Sequence, residues 1–589
     1  MDTKMDKNSR YRKAIITLGV ILLVLCFVVS YYLIEKSREF EVMAKLRIQI
    51  DSENNGDFPI ISIEKPLNDG TIKRVNSFWK ENKYYCLIPS FMSDRIVFYN
   101  KSQCISVFDN DNNEIYDGET IDVNVPVEVL VQIYNYADGK TKAYTLHIEK
   151  TKNIASLFMQ TDNLEFVHED KSNKGKMSFE VVDTVGNLDS KGEGTIKCHG
   201  DSSYNRIDKK TYKLKLTKRT SVLGMDSAKK WILQANVFDE SKLRNRISYY
   251  IADLFELPYA VNTEYVDLYI NDNYYGCYLI MDSVDVAKNR VDIKKEGSWM
   301  IVADTEEENG FYDLFDQHFS VKYPETFDEK TIESIRNSFV QAEEKIQNLQ
   351  KQENLDKIEN IIDTKSFAIM YLVDFITDEP DSNHKSTYYY YDAQDKLIHA
   401  GPAWDFDRGY EAQVAPFVEV NSYIDGLPEL LYRNSFFKEK VKKILDNKPS
   451  YESEIETFFD QSEKLIEYSC KMDFYRWGGT EELADKRLID KGSYAENALY
   501  VKENLLARLK MATEKLRINE DYCTIYVKSA NSFREAFIRK GEALADEAFQ
   551  SLCKIYNCQR FDDSNGDSFQ PGKVFSDSMT IVPILDLEE

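Results

Sequence analysis

Two carboxylates two positions apart, Asp405 and Asp407, sit inside the run Trp404-Asp405-Phe406-Asp407-Arg408-Gly409. About one hairpin upstream a third acid, Asp381, is followed by His384 and Lys385. Acids wedged between bulky aromatics are unusual in a segment that otherwise reads as buried. Hard cations such as magnesium take oxygen ligands, and a phosphoryl donor brings further oxygens of its own. This segment is therefore the candidate centre of chemistry. The competing role for Asp405 and Asp407 is structural, as turn or capping residues between strands and helices.

The elements that must position these acids can be read on either side of them. Thr387 to Tyr391 and Lys396 to His399 predict a hairpin ending at the acidic pair. Glu325 to Asn360 is polar and helical, and Thr364-Lys365-Ser366-Phe367 opens a more apolar helix, Phe367 to Phe375, just ahead of Asp381. Upstream, Thr211 to Leu216 alternates as a strand, with Lys213 and Lys215 on one face and Tyr212, Leu214 and Leu216 on the other. Asp239 or Ser241 can cap a helix whose apolar stripe is Leu243, Ile247, Ile251, Leu254 and Phe255. Tyr265 to Ile270 and Tyr274 to Met281 flank Asn271-Asp272-Asn273, residues that tolerate left-handed backbone, and predict a second hairpin. Helices are expected from about Ser435 to Leu516. The tail from Glu520 reads as a short strand, an amphipathic helix and a weakly structured acidic end.

A chain of 589 residues is too long for one core and implies roughly two to four domains. Its formal charge of −25, with no long basic stripe, argues against a nucleic-acid partner. Ala14 to Ile34 carries no charge and is long enough to cross a bilayer as a helix. Lys4, Lys7, Arg10, Arg12 and Lys13 precede it and predict a cytoplasmic N-terminus, with nearly everything after Lys36 outside. Ser30 to Ile34 offers no small-residue cleavage site, so a signal anchor is expected rather than a cleaved leader. Phe40 to about Lys150 alternates short apolar runs with turn clusters, including Ile60-Ile61-Ser62-Ile63, Arg95 to Tyr99, Val127 to Tyr134 and Ala143 to Ile148. That rhythm predicts a β-sandwich of immunoglobulin-like kind. The cysteines lack paired metal spacing, which argues against zinc. Cys86 and Cys104 are the local candidates for a disulfide, with free buried thiols the alternative.

Taken in order, several segments form a series. They are His199-Gly200-Asp201-Ser202-Ser203, the lysine strand Lys209 to Leu216, Lys230 to Asn236, Leu243-Arg244-Asn245, the hairpin with Asn271, Tyr275, Gly276 and Tyr278, then Asp381 and Trp404 to Gly409. The series resembles the spore coat protein H (CotH) kinase family over about Ile154 to Ser450. The resemblance implies an α+β fold: an atypical protein-kinase-like, two-lobed domain preceded by the transmembrane helix and the sandwich. Domain limits would be 1–13 cytoplasmic, 14–34 membrane, 40–150 sandwich, 151–519 kinase domain (N-lobe about 151–302, C-lobe about 303–519) and 520–589 an extension.

It also implies transfer of the ATP γ-phosphoryl to protein hydroxyls with magnesium or manganese. Gly200, Ser202 and Ser203 would form a loop approached by phosphates. Lys213 or Lys215 would reach those phosphates, and Asp405 would bind the metal with Asp407 as second ligand or its orienter. Asp381 would take the substrate proton or share the metal. Arg244 either contributes to the nucleotide site or tethers a helix to a carboxylate. The family's loop usually reads Arg-Gly-Asn-Ser-Ser, where this chain has His199 and Asp201. The family commonly carries Glu after the second hairpin strand, where this chain offers the shorter Asp282. An inert, kinase-like surface-binding protein is the second reading. A metal-dependent phosphoester hydrolase is the third, undersupplied by only six histidines.

Overall fold

In this computed structural model the described residues are 2–50, 58–100, 102–200, 204–205, 208–304, 309–352, 355–410, 426–432, 434–478, 490–518, 522–529, 532–556 and 558–584. They fall into two compact units. The first comprises Met1–Phe158 with Val182–Leu188 and Tyr269–Tyr274; the second comprises Met159–Val181, Asp189–Leu268 and Tyr275–Glu589.

The first unit opens with helix α1 (Asp2–Val42), whose stretch Ile15–Lys36 is long and apolar enough to cross a membrane. Its apolar side chains point outward all round, Phe27 and Leu23 among them, as befits a helix with no packed core of its own. Beyond it, strand Ala44–Gln49 pairs antiparallel with Ile60–Pro66 and parallel with Arg95–Tyr99. A six-stranded sheet is centred on Lys140–Lys150, which pairs antiparallel with Val127–Asn135 and parallel with Lys83–Ile88. Tyr144, Leu146 and Ile148 are buried at alternate positions, so the two-residue period marks a true core face. The proposed Cys86–Cys104 pair does not form. Cys86 Sγ donates to the Val75 carbonyl at 3.9 Å, and Cys104 Sγ lies 2.8 Å from Ser102 Oγ, both as free thiols.

The second unit takes the greater part of seven strands: β1 (Ala155–Thr161), β2 (Gly175–Val182), β3 (Leu188–His199), β4 (Thr211–Val222), β5 (Met225–Gln234), β6 (Thr263–Ile270) and β7 (Asn273–Asp282). Their order is β5-β4-β3-β2-β1-β6-β7, and β5 pairs with β7 as well, so the strands close on themselves. Closure removes the free edges that an open sheet of short strands would leave. The β6–β7 turn uses Asn271 and Asp272 at φ 50° and 65°, the left-handed backbone their side chains tolerate. Helix α2 (Arg244–Leu254) follows β5. Its cap position is Leu243, while the capping oxygens come from further back. Asp239 Oδ2 accepts the Arg244 N–H at 2.9 Å and Ser241 Oγ accepts that of Leu243 at 3.2 Å.

A second sheet orders Gly310–Tyr312, His318–Tyr323, Trp299–Ala303, Tyr388–Asp392 and Leu397–Ala400. Helix α3 (Glu329–Lys351), capped by Asp328, contributes Phe339 to the aromatic core of this sheet. Helix α4 (Thr364–Thr377), capped by Asp363, is buried along almost its whole length and delivers the chain to the Asp381 turn. Helices Leu427–Tyr432 and Ser435–Asn447 follow, then α5 (Tyr451–Trp477) and α6 (Tyr494–Ala512).

The tail has the expected strand and amphipathic helix, Asp546–Tyr556, but further strands stand where a weakly structured end was expected. Its strands Tyr522–Ser529, Ser532–Arg539, Arg560–Asp563, Ser568–Phe569 and Met579–Ile584 form a five-stranded sheet. Ile525, Val527, Phe549, Leu552, Phe561 and Ile581 make its core. Tyr522 to Val527 is the run that signals a strand, whereas Arg560–Asp563 and Ser568–Phe569 are too short and too polar to signal theirs.

Candidate functional site

The hairpin Tyr388–Asp392/Leu397–Ala400 ends in a loop, Gly401 to Tyr410, that carries both acids. Asp405 takes a left-handed backbone at φ 68°, and four contacts from α2 fix that loop. The Tyr249 hydroxyl accepts the Asp405 N–H at 3.3 Å and Asn245 Oδ1 accepts that of Phe406 at 2.8 Å. Arg244 Nη1 donates to the Gly409 carbonyl at 2.8 Å, and Ser248 Oγ lies 3.0 Å from the Tyr410 hydroxyl. Arg244 is buried and ion-paired to Asp239 at 3.3 Å, so its role in this geometry is that of a tether.

The turn after α4 brings up the third acid. The Asp381 carbonyl accepts the N–H groups of His384 at 3.2 Å and Lys385 at 2.9 Å, which closes the turn. Arg408 Nη1 donates to the Asp381 carboxylate at 3.3 Å. Glu379, buried, accepts the Asp381 N–H at 3.3 Å with one oxygen and the Arg408 N–H at 3.0 Å with the other. Ser386 Oγ donates to Asp405 Oδ2 at 2.9 Å. One carboxylate therefore joins the two loops, and Asp381, Asp405 and Asp407 share one electrostatic environment.

The proton affinities of Asp405 and Asp407 reflect this. Burial, then the Asp381 charge, raises the Asp405 carboxyl, against the pull of Ser386 and Lys385. Burial, then Asp405, Asp239 and Asp381, pushes Asp407 well up, with Arg244 opposing. Glu379 rises through burial and then Asp407, Asp381 and Asp405. Carboxylates that repel one another in a poorly hydrated pocket are stabilised in the charged form by a cation. No three His, Cys, Asp or Glu groups among the described residues gather closely enough to cage a metal by themselves. The donor set fits a magnesium-like ion held by one or two carboxylates and completed by phosphate oxygens.

The strand lysines lie on one face of β4. Lys213 stands directly across from Lys197 on β3 and Lys215 from Lys230 on β5. Like charges opposite each other destabilise a sheet unless something anionic lies against them. Burial, then Lys230, lowers the Lys213 ammonium, with Asp285 opposing. Lys230 is tied to Glu325 at 2.8 Å and Asp285 at 3.4 Å. Lys322, another neighbour of Lys213, is 3.8 Å from Asp304; the Tyr388 hydroxyl is raised by burial first, then by the charges of Asp405 and Asp304.

Asp282 does not join that face. It stands opposite Trp231, which pairs with Leu214, whereas Lys213 lies on the ladder of Ile232 and Met281. Strand alternation puts those two ladders on opposite faces. Asp282 instead receives Arg290 at 2.7 Å and the Asn262 side chain at 2.8 Å. Gly200, at φ 88°, ends β3, while Ser202 and Ser203 lie outside the described residues.

Glu379, Ser386 and Tyr249 were not singled out from sequence, and Asp239 was singled out only as a helix cap. One signal was present for Glu379: Asp378-Glu379-Pro380-Asp381 puts three acids directly after an apolar helix, where burial demands partners.

Residues 196–511, more than half of the chain, match the family of CotH kinase proteins. The chain belongs to the CotH kinase family. Its family region begins on β3 and ends within α6, so it includes the strand lysines, α2 and all three acids. The C-terminal sheet of this CotH-family chain lies beyond it. No curated protein matches the chain.

Proposed function

We propose that this CotH-family chain is an atypical protein kinase that transfers the γ-phosphoryl of ATP to serine or threonine hydroxyls of surface or secreted proteins. The observation that carries the proposal is the meeting of Asp381 with Asp405 and Asp407 through Glu379 and Arg408. Asp405, with Asp407 as second ligand or orienter, would hold magnesium or manganese, which supplies charge neutralisation for the triphosphate. Lys213 and Lys215, with the Gly200 loop including Ser202 and Ser203, would meet the phosphates. Asp381 would orient the acceptor hydroxyl and take its proton. The barrel and the helical part would act as two lobes. The α1 span would anchor the chain, with the N-terminus cytoplasmic and an immunoglobulin-like sandwich displaying the kinase outside the cell.

The test is label transfer. The full chain in detergent, given γ-labelled ATP with magnesium or manganese, is expected to label itself or a generic protein acceptor, and Asp405→Ala is expected to abolish this. A second reading, an inert surface binder, draws support from Asp282, which is committed to Arg290 and leaves the lysine face without an acid from that position. Nucleotide binding without transfer to any acceptor favours it; free phosphate without labelled acceptor favours a hydrolase.

A further inference from the structure

Arg408 follows Asp407 directly, and its main chain is fixed on both sides. Its own N–H is held by Glu379 at 3.0 Å, the Gly409 carbonyl by Arg244 at 2.8 Å, and the Tyr410 N–H by the Thr377 carbonyl at 2.5 Å. The guanidinium is therefore delivered to a set place beside Asp381. Its use there is incomplete. Nη1 makes a single 3.3 Å contact with Asp381, while Nε is buried and has no hydrogen-bond partner among the described residues. An arginine whose task is to neutralise a carboxylate commonly engages it two-pronged through parallel N–H groups. Here Nη1 holds the acid and Nε has no partner among the described residues, which leaves guanidinium donors for a second oxyanion next to Asp381.

Resting on the phosphotransferase reading above, we propose that Arg408 is a catalytic residue that grips the phosphoryl group in transit while Nη1 keeps Asp381 oriented. In the reaction, the acceptor hydroxyl oxygen bonds to the γ-phosphorus as the bond from that phosphorus to the β–γ bridging oxygen breaks. The electron pair of the broken bond leaves on ADP, and the hydroxyl proton passes to the Asp381 carboxylate. Arg408 exchanges no proton. Its donors serve the equatorial oxygens, whose charge is most spread at the midpoint of transfer, so its contribution falls on the transition state rather than on bound ATP.

The experiment compares the full chain in detergent with Arg408→Lys and Arg408→Gln. Thermal shift is read with magnesium-ATP and separately with magnesium-ADP plus aluminium fluoride, which mimics the planar phosphoryl group. Transfer rate is read alongside. All three proteins are expected to bind ATP within about threefold of one another, while both variants lose about a thousandfold in rate, the scale of an arginine that serves the transferring group. Only the wild-type chain is expected to gain stability from aluminium fluoride beyond ADP alone. Arg408→Lys keeps the charge beside Asp381, so it carries the comparison if Arg408→Gln does not fold. A variant that keeps the fluoride gain, or that transfers within about threefold of wild type, overturns the assignment. A wild-type chain that shows no shift with any nucleotide overturns the kinase reading and takes this assignment with it.

Discussion

Asn245 Oδ1 accepts the backbone N–H of Phe406 at 2.8 Å, so the residue between the two acids is pinned by a helix 161 positions earlier in the chain. The Asn245 side-chain amide also donates to Asn236 Oδ1 at 3.2 Å, which ties the same helix to the end of β5. Asn245→Ala leaves a buried N–H unpaired, at a cost of about 1–3 kcal/mol. It also frees the loop that sets the spacing of Asp405 and Asp407, and a shift of about 1 Å in such a site can cost roughly a hundredfold in rate. Chemical denaturation and label transfer, measured together, check this. Wild-type melting with wild-type transfer would show that the contact has no mechanical role.

The lysine face sets stability against binding. Lys213 faces Lys197 across the ladder and is lowered by burial and by its like-charged neighbours. Lys213→Met should therefore melt at or above wild type without nucleotide, since it removes repulsion from a half-buried site. The same change should weaken ATP by roughly 1–3 kcal/mol, on the scale of a charge-assisted hydrogen bond. Parallel thermal shifts with and without ATP give both quantities. A variant that loses stability and keeps its ATP affinity sinks the phosphate-facing role of this lysine.

The hairpin β6–β7 and the acidic pair were legible because each depends on a few neighbours. Asn271-Asp272 suits left-handed backbone wherever it occurs, and acids between aromatics stand out in any buried segment. Arg244 was left between two roles because its partners, Asp239 and Gly409, are joined to it only by folding. Asp282 was placed by order along the chain, while its true face depends on which residue of β5 it meets. A one-residue step along a strand reverses the face, and no local pattern records cross-strand register. In the tail one strand and the amphipathic helix were legible, but the assembly of a five-stranded sheet was not, because its shorter strands gain their burial from one another and from that helix.

That sheet is fastened to the CotH-family region by a buried polar contact. The Tyr371 hydroxyl on α4 donates to Glu535 Oε2 at 2.6 Å, where Glu535 is 0 % exposed. Phe375, one turn on, meets Phe537 edge to face, and Arg508 of α6 donates to the Phe375 carbonyl at 2.7 Å. Helix α4 leads into the Asp381 turn, so the sheet braces the element that carries a candidate catalytic acid. Tyr371→Phe deprives a buried carboxylate of a donor and should destabilise by about 1–3 kcal/mol. Hydrogen exchange is expected to quicken in both α4 and the strand Ser532–Arg539. Faster exchange confined to the strand would mean that the sheet is carried passively.

A buried carboxyl pair behind the site makes stability depend on pH. Glu343, 0 % exposed on α3, has its carboxyl pushed up to about 9 by burial and then by the charge of Asp313. Asp313 is raised too, chiefly by burial. Asp313 Oδ1 in turn accepts the Gln317 N–H at 2.8 Å, and the Gln317 side chain donates to the His384 carbonyl at 3.2 Å in the Asp381 turn. Between the ordinary glutamate range and about 9 the folded chain holds a proton at Glu343 that the unfolded chain has released. More protons in the folded state give stability a negative slope with pH, so the protein is most stable below that window and weakens as pH rises through it. One such group accounts for a loss of roughly 2–3 kcal/mol between about pH 5 and pH 7. Glu343→Gln, which cannot ionise, should flatten that slope, so the variant overtakes wild type at the alkaline end. Denaturant melts at several pH values decide it, and parallel slopes for the two proteins would refute a proton held on Glu343.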